Sequence, residues 1–220
     1  SDGTPSGTAL VADINPGAAS SSPDLLAAAT GVLVFSALAP ATGRGLWRSD
    51  GTPAGTFPVQ NIAVLPPTPF TRIGTEGPVL FAADDGTPGD ELWLSDGTSE
   101  GTQLLRDITP GSSASIGAPV HLGELDGIAY FRANGAELWR SDGSAAGTQL
   151  VRAFSWTSAS DLVKIFDELG SVPGRAYFAA WDNSAGWELW ETDGTPAGTL
   201  RHNVLPGTQF SAANPPNEFV

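Results

Sequence analysis

The chain has 220 residues, of which 40% are apolar and 15% charged, with 27 Gly, 18 Pro and neither Cys nor Met. This length is sufficient for one well-filled core, and the absence of Cys excludes disulfides, thiolate metal sites and Cys nucleophiles. The net charge of −14 argues against nucleic acid and anionic membrane surfaces as partners, and it leaves cations, basic proteins and neutral ligands.

One stretch of the sequence recurs along the whole chain. Residues 46–56 read LWRSDGTPAGT, close copies occupy 92–102, 138–148 and 189–199, and a shorter copy, SDGTPSGT, occupies 1–8. A self-similar period between about 40 and 50 residues is typical of a repeat architecture. The aspartates at the centre of the copies are Asp2, Asp50, Asp96, Asp142 and Asp193.

Each copy predicts a strand, a loop and a second strand. In LWLS at 92–95 a large apolar pair leads into polar residues, which favours a strand with one buried face. Asp-Gly favours a turn, because Asp can bond its own backbone two residues on and Gly accepts positive φ. We interpret the repeated Asp as a turn builder, with a calcium ligand as the alternative.

Two further apolar segments complete each period. The second repeat predicts strands over 69–74, 77–84, 90–95 and 102–108. Four short antiparallel strands per period are typical of a β-propeller blade, and so small a sheet buries both faces only by stacking on its neighbours. We therefore predict an all-β, propeller-type fold. The aromatic residues expected in its core are Phe35, Phe81, Phe131, Phe178, Trp47, Trp93, Trp139 and Trp190.

The chain is predicted to form a single repeat domain over 1–220, with about four full blades and partial terminal repeats. The full repeats are expected at 17–63, 64–109, 110–155 and 156–205, and the partial ones at 1–16 and 206–220. The first partial repeat predicts a strand at about 8–14. Because the partial repeats lack the Phe and Leu-Trp strands, a piece of a longer array is favoured over a ring closed within the chain.

One segment carries a conflicting local signal. SASDLVKIFDELG at 158–170 has a Ser cap, helical apolar spacing and a terminal Gly. Its place in the repeat nevertheless corresponds to the first strand of a blade. We give the period more weight than the local pattern and predict a strand at about 161–167.

The segment ELWLSDGTSEGTQLLRDITPG at 91–111 resembles the bacterial ELWxxDGT repeat family. Glu91, Glu137 and Glu188 keep the leading Glu of that signature, and Gly45 departs from it. The resemblance implies exported or surface-associated propeller-type repeats with no catalytic residues to carry over. The loop is also similar to the Asp-box turn of sialidase-type propellers, in which the Asp shapes a hairpin.

No catalytic constellation is visible. His121 and His202 occupy unequal repeat positions, and we interpret both as surface or edge residues. A G-x-S-x-G nucleophile elbow does not occur. Arg48 and Arg140, each beside a repeated Trp, are interpreted as structural residues that can stack on aromatic faces.

Two groups of residues are candidates for binding. Asp84, Asp85 and Asp90 cluster as hard cations prefer, although the spacing is not that of an EF-hand, so Ca²⁺ is a candidate ligand and no cofactor is required. A solvated acidic hairpin is the alternative. Non-repeated aromatic residues often mark a binding surface, and local filling around the inserted loop at 171–174 is the alternative for them. These aromatic residues are Trp156, Trp181 and Trp187.

Together these observations predict a non-enzymatic, extracellular or cell-surface bacterial module. It would act as a scaffold, adhesion module or accessory subunit, binding a protein, glycan or surface through blade-edge loops without entering the membrane. The alternative is a sialidase-like or lyase-type carbohydrate-active enzyme with a site at the central channel.

Overall fold

The computed structural model describes residues 1–64, 71–86, 91–108, 123–134, 137–154, 164–165, 173–182 and 186–202. Within these ranges the regular structure is entirely β, and no helix occurs, so none is available to span a membrane.

The first sheet consists of β1 (Asp24–Ala29), β2 (Val32–Ala39), β3 (Gly43–Ser49) and β4 (Phe57–Gln60). The second consists of β5 (Ala63–Val64), β6 (Thr71–Arg72), β7 (Val79–Asp84), β8 (Glu91–Ser95) and β9 (Gln103–Arg106). The third consists of β10 (Gly123–Leu125), β11 (Ile128–Ala133), β12 (Glu137–Ser141) and β13 (Gln149–Ala153). The fourth consists of β14 (Lys164–Ile165), β15 (Ala176–Asp182), β16 (Gly186–Thr192) and β17 (Leu200–His202).

The first, third and fourth sheets are antiparallel meanders in which strands that follow one another in the chain pair with one another. The second sheet has the same order from β7 to β9, and β5 and β6 both pair with β7. The predicted all-β class and the blade of four antiparallel strands are thereby confirmed. The four sheets share one register between the strand that contains the repeated Phe and the strand that contains the repeated Trp. In each sheet this Phe lies directly opposite this Trp. The opposed pairs are Phe35 and Trp47, Phe81 and Trp93, Phe131 and Trp139, and Phe178 and Trp190.

Consecutive sheets pack face to face through the two sides of these strands. Phe81 and Trp93 of the second sheet lie in one apolar cluster with Val34 and Leu46 of the first. The opposite face of the second sheet packs in the same way on Phe131 and Trp139, and the third sheet packs on Phe178 and Trp190. The Phe–Trp faces of the second, third and fourth sheets therefore each cover the sheet before them, which is the stacking that defines a propeller-type fold.

The outermost strand of the first three sheets contains a β-bulge. The extra residue lies opposite the consecutive Leu and Trp of the neighbouring strand. It is Val59 in the first sheet, Leu105 in the second and Val151 in the third. All three are buried in the cluster that joins their sheet to the next one. In the fourth sheet Leu189 pairs with His202 and Trp190 with Arg201, so the bulge residue is missing.

The first strand of the second sheet is divided. Ala63–Val64 and Thr71–Arg72 both pair with β7, near its end and its beginning respectively. The prediction placed one strand at 69–74, and only its middle is described as strand.

The strand predicted at about 8–14 is wrong, because residues 8–14 form no strand. The equivalent strands elsewhere pair with a Leu-Trp strand, and among the described residues no strand pairs with this segment. Leu10 and Val11 are 81% and 39% exposed, although the residues equivalent to Val11 are bulge residues buried in other repeats. Ile14 nevertheless packs on the Phe35–Trp47 face, as Ile62 and Ile108 pack on the corresponding faces.

The segment with the conflicting helix signal is strand where it is described. Lys164 and Ile165 pair with Ala179 and Phe178. The rest of the predicted strand at 161–167 lies outside the described residues.

Candidate functional site

The Asp-Gly-Thr loops have one hydrogen-bonding pattern. In the second repeat, the amide and hydroxyl of Thr98 donate to Asp96 Oδ1 at 2.8 and 2.7 Å. The Thr98 hydroxyl accepts from the Gly101 amide at 2.9 Å, and Thr102 Oγ1 donates to the Thr98 carbonyl at 2.6 Å. Ser95 Oγ and Thr102 Oγ1 lie 2.7 Å apart across the base of the loop. The same bonds form around Asp2, Asp50, Asp142 and Asp193.

These bonds direct one carboxylate oxygen of each Asp into its own loop. The hydroxyl and amide two residues on hold the pKa of Asp50, Asp142 and Asp193 below the ordinary value of 3.8. In the described part of the chain, no group of His, Asp or Glu side chains is arranged to hold a metal ion. The geometry therefore supports a structural role for the loop Asp, whose hydrogen bonds stabilise the turn.

The acidic hairpin of the second repeat is described in part. Asp84 is half-buried and its Oδ1 accepts the Gly86 amide at 2.7 Å, while Asp85 is exposed. Asp90 lies outside the described residues. A calcium site at Asp84, Asp85 and Asp90 stays a prediction.

The repeated tryptophans are buried, with 9, 5, 7 and 2% of the residue exposed for Trp47, Trp93, Trp139 and Trp190. Arg106 lies over the Trp139 ring at 5.6 Å. Trp93, Trp139 and Trp190 pack between sheets and Trp47 packs near Ile14, so all four leave little aromatic surface to a ligand.

Arginine side chains link neighbouring sheets. Arg48 Nη1 donates to the Gly97 carbonyl of the next loop at 3.3 Å, and Arg140 Nη1 donates to the Gly194 carbonyl at the same distance. The predicted aromatic stacking of Arg48 involves Phe57, whose ring centroid is 5.1 Å from the guanidinium. Both arginines thus stabilise the stacking of repeats.

The fourth sheet departs from this pattern on its outer face, by which we mean the face opposite to Phe178 and Trp190. Glu191 occupies the position of Arg48 and Arg140. Its carboxylate accepts from Arg175 Nη1 at 2.7 Å, and it lies 3.2 Å from His202 Nε2.

Two other changes coincide on this face. Arg175 occupies the position of Val32 and Ile128, which pack against the apolar clusters between sheets. The buried bulge residue of the other sheets is missing here. The outer face of the fourth sheet is therefore built differently from the corresponding faces of the first three sheets.

The non-repeated tryptophans lie partly in the same region. Trp181 and Trp187 are directly opposed in the pairing of β15 with β16. Trp156 lies outside the described residues. Sequence reasoning missed Arg175 and Glu191 and interpreted His202 as a lone edge residue. The available signal was the acidic residue after Trp190, where other repeats have Arg or Leu.

No protein-family model matches this chain, and no curated protein matches it. Among solved structures, puromycin hydrolase is similar over 81% of this chain and 28% of its own, with 16% identity and a TM-score of 0.48. TolB from Acinetobacter baumannii is similar over 80% of this chain and 41% of its own, with 13% identity and a TM-score of 0.44. An alpha-L-arabinofuranosidase from Clostridium thermocellum ATCC 27405 is similar over 88% of this chain and 78% of its own, with 12% identity and a TM-score of 0.35. The chain thus spans well under half the length of the first two. Similarities at this level transfer no activity to it.

Proposed function

We propose that this chain is a non-enzymatic binding module of the ELWxxDGT repeat type, exported to the bacterial cell surface or beyond. In this proposal it acts as a scaffold, adhesion module or accessory subunit, and the outer face of the fourth sheet contacts a protein or glycan. The observation that carries the proposal is the concentration of departures from the repeat on that one face.

The repeated polar and aromatic residues have roles within the repeats themselves. The loop Asp residues accept hydrogen bonds from their own loops, and Trp93, Trp139 and Trp190 fill the contacts between sheets. A carbohydrate-active enzyme would need polar groups that break the repeat and converge on a channel. The described departures are instead an ion-paired cluster and a pair of aromatic positions on a sheet face, an arrangement typical of binding surfaces.

The proposal can be tested with the double variant Trp181→Ala/Trp187→Ala and the single variant Glu191→Ala. A glycan array and a pull-down from bacterial surface extract should give hits with the native chain that both variants weaken. Leu104→Ala is a matched control, because Leu104 is 43% exposed on the outermost strand of the second sheet. Its binding should equal that of the native chain.

The enzyme alternative has a separate readout. The native chain should not turn over chromogenic glycosides or uronate polymers. Turnover that a single Asp or Glu substitution abolishes would overturn the proposal in favour of a carbohydrate-active enzyme.

A further inference from the structure

The leading Glu of the repeat provides an internal hydrogen-bond acceptor. Glu91 is buried, and its Oε2 accepts the backbone amide of Ile108 at 2.9 Å. Glu137 Oε2 accepts the indole N–H of Trp139 at 2.9 Å and the Asn134 amide group at 2.8 Å. One carboxylate in each of these repeats thus satisfies donors at the edge of the Phe–Trp face.

The first repeat lacks this carboxylate because Gly45 takes the place of the Glu. The indole N–H of Trp47 is buried and has no hydrogen-bond partner within the described part of the chain. The equivalent indole in the third repeat is the one that donates to Glu137. A buried donor without an acceptor is unfavourable. An acceptor from outside the chain that takes this N–H would therefore stabilise the fold.

The backbone around Gly45 leaves room for a side chain. A Cβ at Gly45 would lie 3.8 Å from the Gln60 carbonyl and 3.9 Å from the Ile62 carbonyl, which are ordinary contact distances. Ile62 holds the repeat position of Ile108, whose amide donates to Glu91. A side chain can therefore begin at this position without displacing the neighbouring strand.

We propose that the first repeat binds a small carboxylate in the place that the repeat's own Glu occupies elsewhere. The carboxylate would accept the Trp47 indole N–H. A charge-assisted bond of this kind is stronger than one to a neutral acceptor. The net charge of −14 repels anions, so we expect an affinity on the order of millimolar. This site is on the first sheet and is independent of the binding face proposed above.

The test is a titration of the ¹⁵N-labelled chain with sodium acetate, followed through the indole N–H resonances. The Trp47 indole proton should move downfield and saturate. The indoles of Trp139 and Trp190 should not respond, because each already donates to an acceptor, Glu137 or the Ala180 carbonyl. Acetamide and sodium chloride at matched concentration should leave Trp47 unmoved, which separates carboxylate binding from polarity and ionic strength.

Two variants sharpen the result. Gly45→Glu should place the Trp47 proton downfield without acetate and abolish the response, whereas Gly45→Ala should keep the response. If the native Trp47 proton is already downfield and insensitive to acetate, an ordered water satisfies it and the proposal is wrong. If Gly45→Glu does not fold, the native and Gly45→Ala titrations still decide the outcome.

Discussion

The second glycine of each Asp-Gly-Thr loop is tightly enclosed by the loop's own Asp. A Cβ at Gly147 would lie 2.0 Å from Asp142 Oδ1, and the other four loops have equally short distances. Because the carboxylate is fixed by two hydrogen bonds from Ser144, it cannot withdraw without breaking the loop. The loop therefore requires Gly at this position, because a side chain would overlap the Asp carboxylate.

We therefore predict that Gly147→Ala destabilises the chain by about 1–3 kcal/mol, the usual cost of overpacking a fixed site. Equilibrium urea unfolding measures this difference. Gly45→Ala is the matched control, since its Cβ meets nothing closer than 3.8 Å. It should be neutral or stabilising by up to about 1 kcal/mol, because Ala lowers the entropy of the unfolded chain relative to Gly. Equal losses in the two variants would contradict the steric explanation.

The loop carboxylates predict a loss of stability in acid. The Thr52 hydroxyl, with its amide, lowers the pKa of Asp50 below 3.8 in the folded chain. The unfolded chain, with an ordinary pKa, binds more protons near that pH. The stabilising contribution is therefore complete above pH about 4 and is lost as the pH falls through the folded pKa.

Carboxyl NMR titration of Asp50 checks this explanation. In Thr52→Val the hydroxyl donor is removed and the amide donor stays, so the pKa should rise part of the way toward 3.8. Asp193, whose donors are on Thr195, should titrate as in the native chain. An unchanged Asp50 pKa would mean that the hydroxyl bond contributes little.

At the scale of the strand pair, the Phe–Trp face is the unit that joins one sheet to another. Trp139 stacks on Phe131 with ring centroids 6.4 Å apart and packs against the apolar face of the second sheet. We predict that Trp139→Ala costs about 3–5 kcal/mol through lost burial and the cavity that remains. Trp139→Phe should cost clearly less, because it keeps most of the buried surface and loses the bond to Glu137. Urea unfolding of both variants measures the difference, and a loss below about 1 kcal/mol in Trp139→Ala would place this Trp outside the core.

Periodicity made most of the strands predictable. In the second repeat, predicted strands at 77–84 and 90–95 agree with Val79–Asp84 and Glu91–Ser95 to within two residues. The same reasoning failed at 8–14, because the residues of a strand were present and no described strand pairs with them. Strand propensity is realised only where a neighbour supplies the hydrogen bonds, and that neighbour is not visible in a local pattern.

The candidate binding face was harder to predict than the fold. Trp181 and Trp187 stood out in the sequence because they break the repeat. The Glu191–Arg175 ion pair did not stand out, because its partners are 16 residues apart and meet only through the pairing of β15 with β16. The missing bulge residue corresponds to a deletion of one residue in the last strand of the fourth sheet. Because the loops of the repeats also differ in length, this deletion is hard to recognise in the sequence.

For the whole molecule, the net charge of −14 implies self-repulsion in the folded state. Raising NaCl from about 10 mM to about 1 M shortens the Debye length from about 30 Å to about 3 Å. We predict that the Tm rises over this range, with KCl giving the same result. A falling Tm would show that attractive pairs such as Arg175–Glu191 outweigh the repulsion.

Calcium can be tested on the same native chain. We expect EDTA to leave the Tm unchanged, because the described loop carboxylates form their bonds within the loops and need no ion to hold them. A Tm that falls with EDTA and recovers with CaCl₂ would instead show an ion bound to the folded form. Loss of that recovery in Asp84→Ala would assign it to the acidic hairpin.

The copy of the loop at residues 1–8 forms its hydrogen bonds although residues 8–14 beyond it make no strand. All of its partners lie within seven positions of one another, so closing it costs little chain entropy. Such a turn can form early, before distant segments meet, and can then hold the two arms of a hairpin in register while the tryptophans find their neighbours. We also expect this eight-residue loop to form the same turn when it is grafted between two strands of an unrelated antiparallel sheet.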